Sequence, residues 1–133
     1  MTQEEKELVL KDLCARLPYK PRVKYYYCSI GSAAINGYSD EGYLSYQNLE
    51  DFSIYPKYGL EKTRVYNILP YLRPMSSMTE EERIEYRQKQ TNYEFGYFDT
   101  YDSIDWLNAH HFDYRHLIGN GLALESPEGM YKN

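Results

Sequence analysis

Tyrosine, at 17 residues against 4 phenylalanines, limits what this chain can fold into more than any motif does. Leu, Ile, Val and Phe together make up only about a fifth of the chain, close to the roughly 20% floor below which chains tend to stay disordered. Tyrosine must therefore supply part of the core. A Tyr ring buries apolar area while its hydroxyl seeks water or a partner, so the rings are predicted along the boundary between core and surface. Most are read as half-buried strand residues, because they suit a pleated surface. The same amphipathic ring favours binding surfaces.

A length of 133 residues suits one domain with a real core and is too short for two. Acidic residues outnumber basic ones by 20 to 15, and the net charge of -5 argues against a broad electrostatic grip on nucleic acid. The opening MTQEEKELVLK has neither a basic n-region nor an apolar h-region, so no secretory signal is expected and a cytoplasmic setting is. No apolar run approaches the roughly 20 residues of a membrane span. Cys14 and Cys28 sit in no CxxC pair and read as reduced, partly buried thiols.

The predicted organisation is α+β: an N-terminal helix over 1–18, a small antiparallel Tyr-rich sheet or SH3-like barrel over 22–69, an extended linker over 70–78, two or three helices over 79–119, and a tail over 120–133. Thr2 and Glu5 form a capping box, with Leu10, Leu13, Cys14 and Leu17 at helical spacing behind it. Pro18 and Pro21 end that helix, and Val23 to Ile30 is β-rich. Asn36-Gly37 signals a hairpin, and Asp40 to Gly42 a break. Tyr43 to Gln47, Phe52 to Tyr55 and Thr63 to Leu69 read as short strands. The segment Pro70-Tyr71-Leu72-Arg73-Pro74 is too proline-rich for a central strand. Thr79 with Glu82 caps the next helix, most of which faces water. Asn92 to Tyr101 fits either a helix continuation or an alternating strand. Asp102 is the expected cap of a helix that turns Ile104, Leu107 and Ala109 or His111 inward, with Trp106 at its edge. Asp113 then caps a single turn that stops at Gly119, and Ser126 to Asn133, with Pro127 and Gly129, reads as a turn followed by frayed residues.

The blocks TQEEKELVLKDLCARLPY at 2–19, PYLRPMSSMTEEE at 70–82, DWLNAHHFDYRHLI at 105–118 and GLALESPEGMY at 121–131 resemble a family of small proteins encoded by gut Bacteroidales and their phages and mobile elements. The blocks cover less than half of the chain. The resemblance carries no activity and no catalytic residue; it implies a context in which a small acidic protein is an accessory binder more often than a metabolic enzyme.

The segment from Asp105 to Leu117 holds all three histidines and the one tryptophan. His111, Asp113 and His116 could offer two imidazoles and a carboxylate, but neither HExxH nor an i, i+4 His pair sets zinc geometry. The segment is explained as architecture, and no metal or cofactor is predicted. Neither a GxSxG elbow nor a phosphate loop occurs, and Ser76-Ser77 precede a helix cap, so no catalytic residue is assigned. Non-catalytic binding is the favoured class, in two forms. In one, Tyr71 and Arg73 on the extended segment join other Tyr and Arg side chains in an interface with a host protein. In the other, Tyr25, Tyr27, Trp106, His111 and Arg115 converge on a small anionic, nucleotide-like ligand in a counter-defence role, rings stacking on the base and Arg and His meeting phosphate. A nucleic-acid-binding accessory protein is the runner-up, ahead of a small hydrolase using the His/Asp cluster. Self-association is left open.

Overall fold

The computed structural model describes residues 2–28, 38–54 and 64–131. Helix α1 (Gln3–Arg16) starts on the expected capping box, Thr2 and Glu5 each bonding the other's backbone N–H. Its inward stripe is Val9, Asp12, Leu13 and Arg16; of the predicted Leu10, Leu13, Cys14 and Leu17, Leu13 is in the stripe and Leu10 and Leu17 pack partly buried against the core. Cys14 is exposed. Half the stripe is charged because Asp12 and Arg16 neutralise each other: Arg16 Nε lies 2.8 Å from Asp12 Oδ2, both side chains being fully buried. Arg16 Nη2 donates to Phe112 O at 2.7 Å, tying the helix to the C-terminal region.

A 3₁₀ turn (Leu17–Tyr19) follows, ended by Lys20 in the left-handed region at φ 49°. Strand β1 (Arg22–Cys28) pairs antiparallel with β2 (Tyr38–Tyr43) on one side and β3 (Arg64–Leu72) on the other. β6 (Leu124–Glu125) adds to β3 in parallel, giving the order β2-β1-β3-β6. This is an open, mixed sheet, so among the described residues the SH3-like alternative is not formed. Alternation sets its buried face: Val23 and Tyr25 on β1, Ile68, Pro70 and Leu72 on β3.

Three sequence expectations change here. Asp40 to Gly42 is no break but lies within β2. Pro70 sits inside β3, opposite Val23; β6 reaches only Tyr71 and Leu72, so one flank of β3 is open at Pro70 and can tolerate the missing N–H. The strands expected around 43–47 and 52–55 give way to helix α2 (Tyr46–Ile54). Ser45 Oγ accepts the Asn48 N–H at 3.1 Å, and Leu49 and Phe52, three apart, enter the core. The Asn36-Gly37 turn lies outside the described residues.

Helix α3 (Glu80–Lys89) has the predicted Thr79/Glu82 capping box. The ambiguous stretch after it is a hairpin, β4 (Thr91–Tyr93) with β5 (Gly96–Phe98). Helix α4 (Tyr101–Ala109) is capped by Thr100 with Ser103, two residues earlier than the expected Asp102. It ends in a Schellman arrangement: Phe112 N–H donates to Leu107 O, and His111 N–H to Asn108 O, which places His111 at the left-handed position, φ 64°. A second such stop closes with Leu122 N–H on Leu117 O and Gly121 N–H on Ile118 O. Gly121, not Gly119, takes the positive φ of 73°. Asp113 does cap, accepting the Leu117 and Ile118 N–H groups at 2.8 and 3.0 Å, but turns rather than a helix follow. The tail is not frayed as far as Tyr131: β6 and a turn at Pro127–Met130 lead to Tyr131, whose hydroxyl donates to Tyr71 O at 2.6 Å and accepts the Arg22 N–H at 2.8 Å.

Two cores result. The larger joins α1, α2, the sheet and Leu117, Leu122 and Ala123. The smaller packs Met78, Trp106, Leu107 and Phe112 beneath α3 and α4. Aliphatic side chains dominate the first, and among the described tyrosines Tyr25 alone is core. Tyr26, Tyr71 and Tyr131 are half-buried, and Tyr86 and Tyr114 are half-buried against the smaller core. Among the described residues no helix is long and apolar enough to cross a membrane.

Candidate functional site

Most of the side chains picked from sequence are already occupied. Tyr25 is buried in the larger core with its hydroxyl donating to Tyr43 O, and Trp106 is buried in the smaller one between Tyr86, His110 and Phe112. Neither offers a ring face to a ligand. The Tyr27 side chain lies outside the described residues. Tyr71 donates its hydroxyl to the Glu41 carboxylate, which with burial pushes its own pKa up to about 12. Arg73 grips Glu82 through two bonds of 2.7 and 2.8 Å and lies 4.1 Å over the Phe112 ring. Its hydrogen bonds hold the Glu82 carboxyl down to about 2, against the opposing effect of burial. Arg115 reaches Asp12 at 3.4 Å. The five-residue convergence expected around a small anion is therefore not built from those residues; of them, only His111 reaches the niche described next.

That niche lies where the end of α4 meets the start of β1 and the tail. It encloses about 330 Å³ and is lined by Tyr19, Lys20, Arg22, Tyr43, Ala109, His110, His111, Met130 and Tyr131. The local sequence explains each placement. The Pro18 turn throws Lys20 into the left-handed conformation at the rim. Arg22 opens β1 directly opposite Tyr43 at the end of β2, so its guanidinium stacks 5.0 Å from the Tyr43 ring centre. The Schellman stop turns the His111 ring onto Tyr131, centroids 3.8 Å apart and 16° from parallel. His110 Nδ1 donates to Trp106 O at 2.8 Å, which leaves Nε2 with the lone pair in the neutral ring.

Among the described residues no carboxylate lines this niche, in a chain that carries -5 overall. Two of its polar atoms, Arg22 Nε and His111 Nδ1, are buried with no hydrogen-bond partner. Such groups normally find one, since leaving a buried donor unmet costs about 1–3 kcal/mol. Desolvation, reinforced by the nearby charges of Arg16, His110 and Arg73, lowers the His111 pKa to about 4. Among the described residues the niche therefore presents the cations Lys20 and Arg22, the imidazoles of His110 and His111, three tyrosine rings and no carboxylate. Its volume sits at the lower end of ligand pockets. The polar groups of the described lining are Lys20, Arg22, the imidazoles of His110 and His111, and the hydroxyls of Tyr19, Tyr43 and Tyr131.

A larger cleft of about 690 Å³ shares His110 and Tyr131 as a wall but is lined by Glu81, Glu82, Glu85, Glu125 and Glu128. Its cation, Arg73, is held by Glu82. Asp113 is spent on backbone N–H groups, and among the described residues no three His, Cys, Asp or Glu side chains gather as metal ligands. Sequence reasoning passed over Tyr19, Lys20, Arg22 and Tyr131, although the run Tyr19-Lys20-Pro21-Arg22 interleaves rings with cations in a way that marks such a surface. No family model, curated protein or solved structure matches this chain.

Proposed function

We propose that this protein is a non-catalytic accessory binder of a small anionic ligand with a planar ring, of nucleotide type, held in the Arg22–His111 niche. In the phage or mobile-element setting that the resemblance implies, such a protein acts by sequestering the ligand, a counter-defence role. The observation that carries the reading is the pair of unpartnered buried atoms, Arg22 Nε and His111 Nδ1, on two residues that line a niche with no carboxylate among the described residues. A phosphate held there would offer acceptor oxygens to the Arg22 and His111 side chains, and Lys20 in the same lining would add charge attraction. The Tyr19, Tyr43 and Tyr131 rings give a base surfaces to lie on.

Calorimetric titration with inorganic phosphate, a nucleoside, nucleoside monophosphates and cyclic dinucleotides tests this. The expected order places ring-plus-phosphate ligands above either part alone. Arg22→Ala should weaken binding roughly ten- to a hundredfold, the worth of one charge-assisted hydrogen bond of about 1.5–3 kcal/mol. Arg115→Ala, whose partner is Asp12, should leave affinity unchanged. If no member of the panel binds, or if Arg22→Ala and Arg115→Ala behave alike, the niche is not the site.

A further inference from the structure

The four-stranded sheet has two faces, and the larger core uses one of them. Val23, Tyr25, Ile68 and Leu72 turn toward α1 and α2. Alternation therefore sets Arg22 and Lys24 of β1, Glu41 and Tyr43 of β2, and Leu69 and Tyr71 of β3 on the other face, and none of these six belongs to either core. Arg22 and Tyr43 also line the niche, so the niche and this outer face are continuous. One contact shapes the face. Tyr71 on β3 donates its hydroxyl to the Glu41 carboxylate on β2, although β1 runs between those two strands. The Tyr71 side chain therefore crosses β1, a span of about 9–10 Å or two strand spacings, and its ring lies along the sheet instead of standing off it. Val23 is opposite Pro70 and Lys24 is opposite Glu41, so the crossing passes between Arg22 and Lys24, and the Arg22 charge is felt at the Tyr71 hydroxyl. Two cations thus flank one ring, their Cα atoms about 7 Å apart along the strand, close to one nucleotide step of an extended chain. Glu41 is turned to Tyr71, and among the described residues neither Arg22 nor Lys24 is in an ion pair. Lys24 Nζ is held on the same face, 5.7 Å from the Tyr26 ring centre.

We infer that the ligand is a dinucleotide rather than a mononucleotide: the unit held in the niche is followed by a second, whose base lies on the Tyr71 ring and whose phosphate meets Lys24. The inference rests on the niche reading given above and extends it along the sheet. An aromatic ring laid flat between two cations offers a base its π-face and offers a phosphate on either side one charge, the pairing by which extended nucleotide chains are held without sequence readout. The face also limits the length of the ligand. From Arg22 to Tyr26 it runs about 13 Å, room for two units. The Glu41 carboxylate on it and the net charge of -5 oppose a longer polyanion.

The test is calorimetric titration of the full chain, at one fixed ionic strength, with a nucleoside monophosphate, the 5′-phosphorylated linear dinucleotide and the hexanucleotide of the same base. The dinucleotide should bind roughly ten- to a hundredfold more tightly than the monophosphate, the effect of one stacked base, and the hexanucleotide about as tightly as the dinucleotide. Tyr71→Leu, which keeps an apolar strand residue, and Lys24→Gln should each bring the dinucleotide down toward the affinity of the monophosphate. Lys24→Arg should keep the wild-type preference, a rescue that a folding defect would not allow. Equal affinity for one unit and two, or losses in Tyr71→Leu and Lys24→Gln as large for the monophosphate as for the dinucleotide, would overturn the second unit, while Arg22→Ala titrated with the monophosphate judges the niche separately. Affinity that climbs on to the hexanucleotide would overturn it in favour of a strand binder, and no binding of any of the three would overturn both readings.

Discussion

Replacing Glu82 with Gln removes one negative charge and almost no volume, so it isolates what the Arg73 pair contributes. Both carboxylate oxygens accept from Arg73, at 2.7 and 2.8 Å, and Oε1 also accepts the Thr79 N–H at 3.0 Å as half of the capping box. The Glu82 side chain is 9% exposed, so solvent screens the pair little. Its carboxyl is held at about 2, against 4.5 for the free group. At 1.36 kcal/mol per pKa unit, that depression contributes about 3 kcal/mol at neutral pH. Because the folded value is the lower one, the contribution is complete above pH 4.5 and is lost as pH falls toward 2. Urea unfolding of wild type and Glu82→Gln from pH 7 to pH 2 should give a stability gap of about 3 kcal/mol that closes below pH 4.5. The other carboxylates titrate in both proteins and cancel in the difference. A gap that is constant with pH would refute the reasoning, since it would mean that Glu82 acts through shape or through its cap bond alone.

Three further outcomes follow from the ring pair at the niche. His111→Gly suits the left-handed backbone at φ 64°, so the thermal midpoint should hold or rise by up to about 1 kcal/mol equivalent while calorimetric affinity for the nucleotide-type ligand falls. The lowered pKa of His111 means that its neutral form stabilises the fold above about pH 6.5, and that this contribution fades toward pH 4; a His111→Asn melt series should lack the decline. Tyr131→Phe leaves Tyr71 O and the Arg22 N–H without their partner and should cost about 1–3 kcal/mol in a denaturant melt; a change below about 0.5 kcal/mol would mean that water replaces the hydroxyl freely.

Elements with local signals were the legible ones. Thr2 with Glu5 and Thr79 with Glu82 mark helix starts within four residues of sequence, and α1 and α3 begin where those boxes sit. The α+β class follows from the same kind of evidence. Helix α2 was missed because Tyr and Phe favour strands, while the deciding facts are the Ser45 cap and the burial of Leu49 and Phe52 against the sheet. The site was harder to read because availability depends on distant partners. Arg115 is engaged by Asp12 and Arg16 by Phe112 O, about a hundred positions apart in the chain. Nothing near Arg115 announces Asp12, and nothing near Arg22 announces Tyr131. His111 was legible as a residue of interest, but its partners were not.

The chain has a single tryptophan, and its indole lies 4.1 Å, centroid to centroid, from the His110 ring, whose other surroundings include the niche. Imidazole quenches indole emission. A ligand settling beside His110 would change the brightness of Trp106 without touching it. The protein thus contains its own optical gauge: one wall of the niche is also the quencher of its one strong fluorophore, and occupancy can be followed in unlabelled protein by emission alone.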